Sequence, residues 1–353
     1  MVLISPKSHA PWGLAIALFA ALLSTACQAK ISQSDPYLAS LKTDLQTKPF
    51  DFEKGQFRWI KLGDLRPTQA LIGHDQVNYK LGRYQAEPQK MYQEICESYG
   101  ASSNKVKWNA QSSPLQPASF SCSQALVSRS SDIKTAIVAP DGQLYLTDGH
   151  HTFSTFMDMR RGGANMPVLV KIQENWSKPS IQTKTPMAQF WQDLASSNNS
   201  WQFSVKGAAI DYQDMPKHVG RQFLANQAFR SLVYFANGIG WDKTLAAPIN
   251  FLEFHWGQTL AEDISIDPAR LSDSDYYLAK IEQVARQMLA YAPDKVIAQS
   301  HYSAQQLGQK KAWNKQSSKR FKQLLCKGKK KHLGKLGYAL SYQHPGLLTE
   351  LCH

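Results

Sequence analysis

The chain has 353 residues, of which 43% are hydrophobic and 11% aromatic. This content excludes general disorder and is enough to form the core of one large domain or two modest ones. A formal net charge of +13 is typical of nucleic-acid-binding proteins. In this chain, however, the charge is concentrated in residues 310–335, which contain eleven Lys or Arg and no acid. The rest of the chain is close to neutral, so the basic character belongs to one segment near the C-terminus.

The N-terminus has the pattern of an export signal. Lys7 precedes an apolar run over residues 12–23, and small residues lead to Cys27. A run of this length is typical of a signal peptide and is short for a membrane span. Cys27 also resembles the lipidated cysteine of a bacterial lipoprotein, although Ser24 stands three positions before it, where leucine is preferred. The sequence therefore predicts either a periplasmic or outer-membrane lipoprotein anchored at Cys27 or a plainly secreted protein.

A strand, an extended turn and two helices are predicted in the next part of the chain. Residues 57–62 have the composition of a strand. Pro67 excludes the helical region for Arg66, so the segment after the strand is expected to be extended. The apolar spacing over residues 75–99 is helical, and Pro88 is expected to open a second helix.

The most informative stretch is a predicted hairpin followed by a helix. Two apolar runs, at residues 135–139 and 143–147, flank Pro140-Asp141-Gly142, whose residue types favour a turn. Asp148-Gly149-His150-His151 follows, and apolar residues over 153–157 then recur at helical spacing. Free N–H groups and the positive end of the helix dipole meet at such a junction, which therefore predicts an anion site.

The second half of the chain is predicted to be mainly helical. Residues 186–195 and 272–291 have helical patterns, the latter with Ser272 or Asp273 as its cap, and residues 229–256 are dense in aromatics.

The basic segment that follows has two interpretations. It can bind phosphate backbones or an anionic membrane surface, or it can form an amphipathic helix that docks through its apolar stripe and exposes its lysines. The stripe consists of Trp313, Phe321, Leu324 and Leu325.

Four cysteines remain after Cys27, an even number that favours disulfides in an exported protein. Four cysteines allow three connectivities, and the sequence-local choice is Cys96–Cys122 with Cys326–Cys352. Buried free thiols are the alternative.

Three motifs resemble the ParB/sulfiredoxin superfamily, and more narrowly its exported "ParB-like nuclease" group. They are Leu65-Arg66-Pro67-Thr68-Gln69 after the first strand, residues 77–83 in the next helix, and residues 144–151 at the strand-turn-helix. The resemblance covers residues 57 to 174. It implies an α+β fold, in which a small mixed sheet with helices precedes a mainly helical C-terminal region.

The resemblance also implies that the turn at Gly149 holds a phosphate group of a nucleotide or nucleic acid. In much of the superfamily an arginine after this turn contacts phosphate, whereas His151 and Thr152 stand there in this chain. The turn contains no cysteine, which excludes sulfiredoxin chemistry, and export conflicts with a role in chromosome partitioning.

The candidate site residues divide by chemistry. A histidine can transfer protons or bind a metal, and an aspartate can orient it or hold a divalent ion with it. The predicted catalytic residues are His150, His151 and Asp148, although an imidazole packed in the core and an aspartate capping the helix are alternative roles. Only one of two adjacent helical histidines is expected to face a ligand. The predicted phosphate-binding residues are Gly149, Thr152, Arg66, Thr68, Gln69, Lys80 and Arg83.

The first functional hypothesis is an exported nuclease or phosphodiesterase, with a divalent metal ion left open as a cofactor. The alternative is a non-catalytic module that binds nucleotide or nucleic acid, and no protein partner is inferred. The predicted organisation is a leader (1–27), a linker (28–56), a ParB/sulfiredoxin-like domain (57–176), an aromatic-rich helical extension (177–309) and a basic segment (310–353).

Overall fold

The computed structural model of the protein describes residues 35–102, 104–178, 185–328, 332–347 and 352. The predicted leader, with the lipidation site Cys27, lies outside the described residues, as do residues 329–331 of the basic segment. Within the described ranges no helix is both long enough and apolar enough to cross a membrane.

A mixed five-stranded sheet forms the centre of the first half. Its strands are β1 (Phe57–Lys61), β2 (Leu65–Pro67), β4 (Lys134–Val138), β5 (Leu144–Leu146) and β6 (Pro167–Asn175), in the order β1-β6-β4-β5-β2. The predicted hairpin is confirmed, since β4 and β5 pair antiparallel, while β2 pairs parallel with β5. Short two-stranded sheets are formed by β3 (Leu71–Ile72) with β7 (Ala225–Asn226), β8 (Trp241–Ala246) with β9 (Leu307–Gln309), and β10 (Cys326–Lys327) with β11 (His332–Leu333).

Helices cover the sheet and are the predominant regular structure of the second half, which confirms the expected α+β class. They are α1 (Pro36–Asp44), α2 (His74–Ala86), α3 (Pro88–Ser98), α4 (His150–Asp158), α5 (Met187–Ser196), α6 (Ala228–Ala236), α7 (Leu252–Asp263), α8 (Ser274–Ala290), α9 (Lys315–Lys322) and α10 (Lys335–Gln343). Pro88 opens α3 as predicted, and Asp273 caps α8 by accepting hydrogen bonds from the N–H groups of Asp275 and Tyr276. The α4 helix begins directly after the glycine turn, also as predicted.

The apolar residues form separate buried clusters. One lies around the five-stranded sheet and includes Trp59, Leu146 and Phe153, and a second lies among α6, α7, α8 and α10. The sheet cluster also takes in Leu224, from beyond the predicted domain boundary at residue 176. The predicted domain limits stay a prediction.

The basic segment docks through the predicted apolar stripe. Leu324 is buried in the second cluster, and Trp313, Phe321 and Leu325 pack against it. The expectation of one continuous helix was wrong for the end of the stripe, because α9 ends at Lys322 and the chain then turns into β10. The following α10 packs against α2 so closely that a Cβ at Gly82 would overlap the carbonyl oxygen of Tyr338.

Both predicted disulfides are confirmed. Cys96 pairs with Cys122 and Cys326 with Cys352. The first joins the buried face of α3 to the loop that precedes β4, and the second connects β10 to the C-terminal end of the chain.

Candidate functional site

The first turn of α4 presents free backbone donors. Gly149 precedes it with φ of +98°, and no side chain caps the helix. The N–H groups of His150, His151 and Thr152 have no hydrogen-bond acceptor among the described residues. Three free N–H groups and the helix dipole together favour an anion at this position.

Gly149 is required both by its conformation and by its neighbour. The left-handed region strains residues that carry a Cβ, and a Cβ here would lie 2.5 Å from Cγ of Lys134. The Nζ atom of Lys134 lies 3.3 Å from Oδ2 of Asp148. Asp148 is therefore an exposed ion-pair partner beside the turn and does not cap α4.

His150 points into the protein and is 4% exposed. Its Nε2 atom accepts a hydrogen bond of 3.1 Å from the backbone N–H of Thr68. Burial lowers the pKa of His150 to about 4. The ring is therefore neutral, with its proton on Nδ1, and it joins α4 to the segment after β2.

His151 is half-buried and points toward a different neighbour. Its Nε2 atom accepts a hydrogen bond of 3.0 Å from the backbone N–H of Gly73. Burial first, and then the charges of Arg230 and Lys80, hold the pKa of His151 well below its usual range. As predicted from helical geometry, the two rings diverge, and His151 is the one near the charged groups of the site.

Of the candidate residues in the first motif, two lie inside the fold and one lies away from the α4 turn. Thr68 and Gln69 are buried, and Oγ1 of Thr68 donates to the carbonyl oxygen of Leu146 while Nε2 of Gln69 donates to that of Leu71. Arg66 lines a different cavity of about 410 Å³, to which no residue of α4 contributes.

Two predicted cations lie on α2, and one of them reaches α4. The Nζ atom of Lys80 donates a hydrogen bond of 3.0 Å to Oγ1 of Thr152 and also forms an ion pair with Glu94. Arg83 donates to the hydroxyl of Tyr79 at 3.2 Å. Beside the first turn of α4 lies a hollow of about 320 Å³, lined in part by Thr152, Lys134 and Glu94.

Arg230 on α6 is a site residue that the sequence analysis missed. A Cβ at Gly73 would lie 3.3 Å from its Cγ atom, so its side chain lies against the backbone that contacts His151. Its Nη2 atom lies 3.5 Å from Glu253, whereas Nε and Nη1 are buried and have no partner among the described residues. The available sequence signal was a single charge within the otherwise apolar run of α6.

A comparison with protein families identifies the chain. A family described as "Putative ParB-like nuclease" matches residues 59–262, more than half of the sequence. The chain belongs to the ParB-like nuclease family. A solved structure, that of protein Atu1540 from Agrobacterium tumefaciens, is 21% identical, with 66% of this chain and 92% of that chain covered and a TM-score of 0.43. No curated protein matches the chain.

Membership of the ParB-like nuclease family suggests a nuclease or nucleic-acid-binding role. The range that matches the family contains the α4 turn, Lys80 and Arg230, and it ends before the basic segment. No group of three or more His, Cys, Asp and Glu side chains is placed to hold a metal ion in the part of the chain that the structure describes.

Proposed function

We propose that this ParB-like protein binds a phosphate group of nucleic acid at the first turn of α4. The observation that carries the proposal is the buried Arg230, whose Nε and Nη1 atoms have no partner among the described residues. Leaving buried donors unpaired is costly, and a phosphate at this position would accept from them.

The surrounding groups support phosphate over a neutral ligand. The free N–H groups of α4 and the ammonium group of Lys80, which also pairs with Glu94, contribute positive potential, and Arg230, which also pairs with Glu253, adds to it. A guanidinium group donates in a fork that fits two oxygens of one phosphate. In this proposal Arg230 replaces the arginine that usually follows the turn in this superfamily.

Cleavage of the bound phosphodiester is the second candidate function, and it is favoured by the family's description as a nuclease. His151 is the candidate for proton transfer, with Asp148 as its exposed neighbour. In the present geometry Nε2 of His151 is occupied by the N–H of Gly73. A role as general base would require that hydrogen bond to break, and this requirement favours binding as the first function.

A substitution that supplies its own anion tests the binding site. Thr152→Asp would place a carboxylate in the first turn of α4 beside Lys80, where the helix dipole stabilises it. We expect Thr152→Asp to fold at least as stably as the wild type and to bind a fluorescent oligonucleotide about tenfold more weakly. Thr152→Asn, which has nearly the same shape without the charge, is the matched control and should lose much less. Equal binding by the wild type and Thr152→Asp would refute the proposed site.

Cleavage is tested with plasmid DNA and bis-p-nitrophenyl phosphate, each with and without added divalent metal. His151→Gln keeps an acceptor for the N–H of Gly73 but removes the imidazole. A hydrolase that uses His151 would lose its turnover in His151→Gln while retaining oligonucleotide binding. The same residual hydrolysis in wild type and His151→Gln would leave binding as the function.

We also propose that the protein works outside the cytoplasm. The signal-like sequence that ends at Cys27 supports export, and two disulfides are consistent with an oxidising compartment. Attachment through lipid at Cys27 predicts that the protein sediments with membranes and that Cys27→Ser releases it. A protein that is soluble in the periplasmic fraction with Cys27 intact would favour plain secretion.

A further inference from the structure

The described part of the basic segment packs against the ParB-like fold. Leu324 is 6% exposed within the second apolar cluster. The Nζ atom of Lys310 donates to the carbonyl oxygen of Gly238 at 3.1 Å and to Oγ of Ser317 at 2.7 Å. Lys310 is therefore held beside the C-terminal end of α6.

Lys335, in this segment, contacts the aromatic face between α2 and α6. Its Nζ atom lies 4.6 Å from the ring centroid of Tyr234 and 5.8 Å from that of Tyr79. The two rings lie 6.3 Å apart, and both are half-buried. Lys335 is also the first residue of α10, which begins after Gly334 without a side-chain cap.

The position of Lys335 is electrostatically unfavourable without an anion. A cation at the N-terminus of a helix opposes the helix dipole. Burial, and then the charges of Lys327, Arg320, Arg83 and Lys80, lower the pKa of Lys335 to about 8. A bound phosphate would offset both effects.

Two connections join this aromatic and basic patch to the phosphate site at α4. On α2, Tyr79 is followed directly by Lys80, which donates to Oγ1 of Thr152. On α6, Tyr234 lies four residues after Arg230, so both point to the same side of the helix about 6 Å apart along its axis. The patch therefore lies on the same two helices as Lys80 and Arg230.

We propose that the ligand is single-stranded nucleic acid that extends from the first turn of α4 to the first turn of α10. One phosphate binds at Arg230 and α4, and a second phosphate of the same strand binds at Lys335. A base between them contacts the rings of Tyr79 and Tyr234. This inference rests on the proposed function, because the α4 site supplies one end of the path.

The combination of rings and cations favours a single strand over a duplex. Aromatic side chains beside a basic path stack with unpaired bases and do not require a particular sequence. The bases of a duplex are already stacked on one another, so a duplex would use the cations alone. Tyrosine rings between two cationic sites are therefore the feature that distinguishes the two ligands.

Fluorescence anisotropy with an oligothymidylate of about twelve nucleotides tests the path. Lys335→Gln should weaken binding about fivefold and reduce the slope of log K against log salt by about 0.7, the value for one phosphate contact in a single strand. Tyr234→Leu should weaken binding about fivefold, whereas Tyr234→Phe, which keeps the ring, should stay near the wild type. Lys42→Gln, an exposed change on α1, controls for net charge.

A thymidine dinucleotide without a terminal phosphate, which carries one phosphate and cannot occupy both sites, separates this inference from the α4 proposal. The expected pattern is that Thr152→Asp weakens both probes and Lys335→Gln weakens only the longer one. Loss with Thr152→Asp but not with Lys335→Gln or Tyr234→Leu would overturn the path and leave the α4 site. No effect of Thr152→Asp on either probe would overturn the α4 site.

Two further outcomes would also overturn the proposed ligand. Binding of a duplex of the same length as tightly as the single strand would exclude the role of the tyrosine rings. Binding to phosphatidylglycerol vesicles that depends on Lys335, without binding of the oligonucleotide, would assign the patch to a membrane surface.

Discussion

The Nε2 atom of His151 accepts a hydrogen bond from the backbone N–H of Gly73 at 3.0 Å. Gly73 lies where β3 passes into α2, and a Cβ there would lie 2.7 Å from Oγ of Ser231 on α6. The ring of His151 therefore fastens α4 to the junction of α2 and α6, as His150 fastens it to Thr68. The two histidines therefore join α4 to the segment after β2 and to the junction of β3 and α2. Each ring must be neutral to accept its hydrogen bond.

These neutral imidazoles predict a loss of stability in mild acid. The pKa of His150 is lowered by burial to about 4, below the ordinary value of 6.5. Between these values the unfolded chain binds the proton more strongly, so the contribution is complete above pH 6.5 and is lost as the pH falls toward 4. At about pH 5 the decrease in the free energy of unfolding is about 2 kcal/mol for one such histidine. Urea unfolding at neutral pH and at about pH 5 measures the difference, and equal stability at both would contradict it.

His255 contributes to the same pH dependence and can be replaced. It is 4% exposed, and its two ring nitrogens are buried without a partner among the described residues. Burial lowers the pKa of His255 to about 4. Because its ring packs edge-on against Trp201 at 5.0 Å, phenylalanine should fit the same space. We expect His255→Phe to increase stability by about 1–2 kcal/mol, since it removes unpaired polar atoms, and to reduce the loss at about pH 5.

Gly149 and Gly142 allow the cost of backbone conformation to be compared with the cost of a steric overlap. Both have positive φ, but a Cβ at Gly142 meets nothing within 4 Å, whereas one at Gly149 would meet the side chain of Lys134. Gly142→Ala should cost about 1 kcal/mol for conformation alone, and Gly149→Ala should cost about 2–3 kcal/mol. Adding Lys134→Ala to Gly149→Ala should bring the cost closer to that of Gly142→Ala, because only Cβ of residue 134, at 3.0 Å, then remains. Equal costs for the two single changes, measured by urea unfolding, would refute the proposed overlap.

The hairpin and the start of α4 could be predicted because their signals are local. The Pro140-Asp141-Gly142 turn, the period of two in the strands and the helical spacing after Gly149 all lie within one short stretch. Burial of Thr68 and Gln69 is different, because it depends on β5 and on the His150 ring, which lie far along the chain. Whether these two residues contact a ligand stays a prediction.

Arg230 could not be assigned from the sequence for the same reason. It lies beside Gly73, whose N–H group contacts His151, because β3 and β7 pair and thereby bring the start of α6 there. The net charge of the basic segment was visible, but its position was not. That position depends on the packing of α10 against α2, and nothing in either helix alone specifies the partner.

Variants of the ion pair between Arg230 and Glu253 distinguish an effect on folding from an effect on ligand binding. The side chains of both residues are mostly buried. Burial alone would raise the pKa of Glu253, but the charge of Arg230 and weaker neighbouring effects together outweigh it and the pKa is lowered. Arg230→Met leaves the carboxylate buried and unpaired, which should cost about 3–5 kcal/mol. Arg230→Met combined with Glu253→Gln should recover most of that stability but should not recover oligonucleotide binding. A double variant that binds like the wild type would exclude Arg230 from the site.

The two disulfides are expected to differ in their resistance to reduction. Each joins cysteines 26 positions apart, so the loss of chain entropy predicts a similar contribution of about 3–4 kcal/mol from each. The first pair has one fully buried cysteine, Cys96, and one half-buried cysteine, Cys122, whereas both cysteines of the Cys326–Cys352 pair are half-buried. Thiol–disulfide exchange requires access to a sulfur atom, so Cys326–Cys352 should be reduced first in the native protein.

Alkylation of the released thiols, followed by mass spectrometry of peptides, gives the order of reduction directly. The first reduction should weaken the attachment of the segment that carries Lys335, because Cys326 lies between α9 and α10. We therefore expect Cys326→Ser/Cys352→Ser to weaken binding of the long oligonucleotide, with the dinucleotide unaffected. Cys96→Ala/Cys122→Ala should lower the unfolding temperature but leave the ratio of the two affinities unchanged, because Cys96 packs in the sheet cluster. Simultaneous release of all four thiols under mild reduction would show that the two disulfides are equally accessible, contrary to the difference in burial.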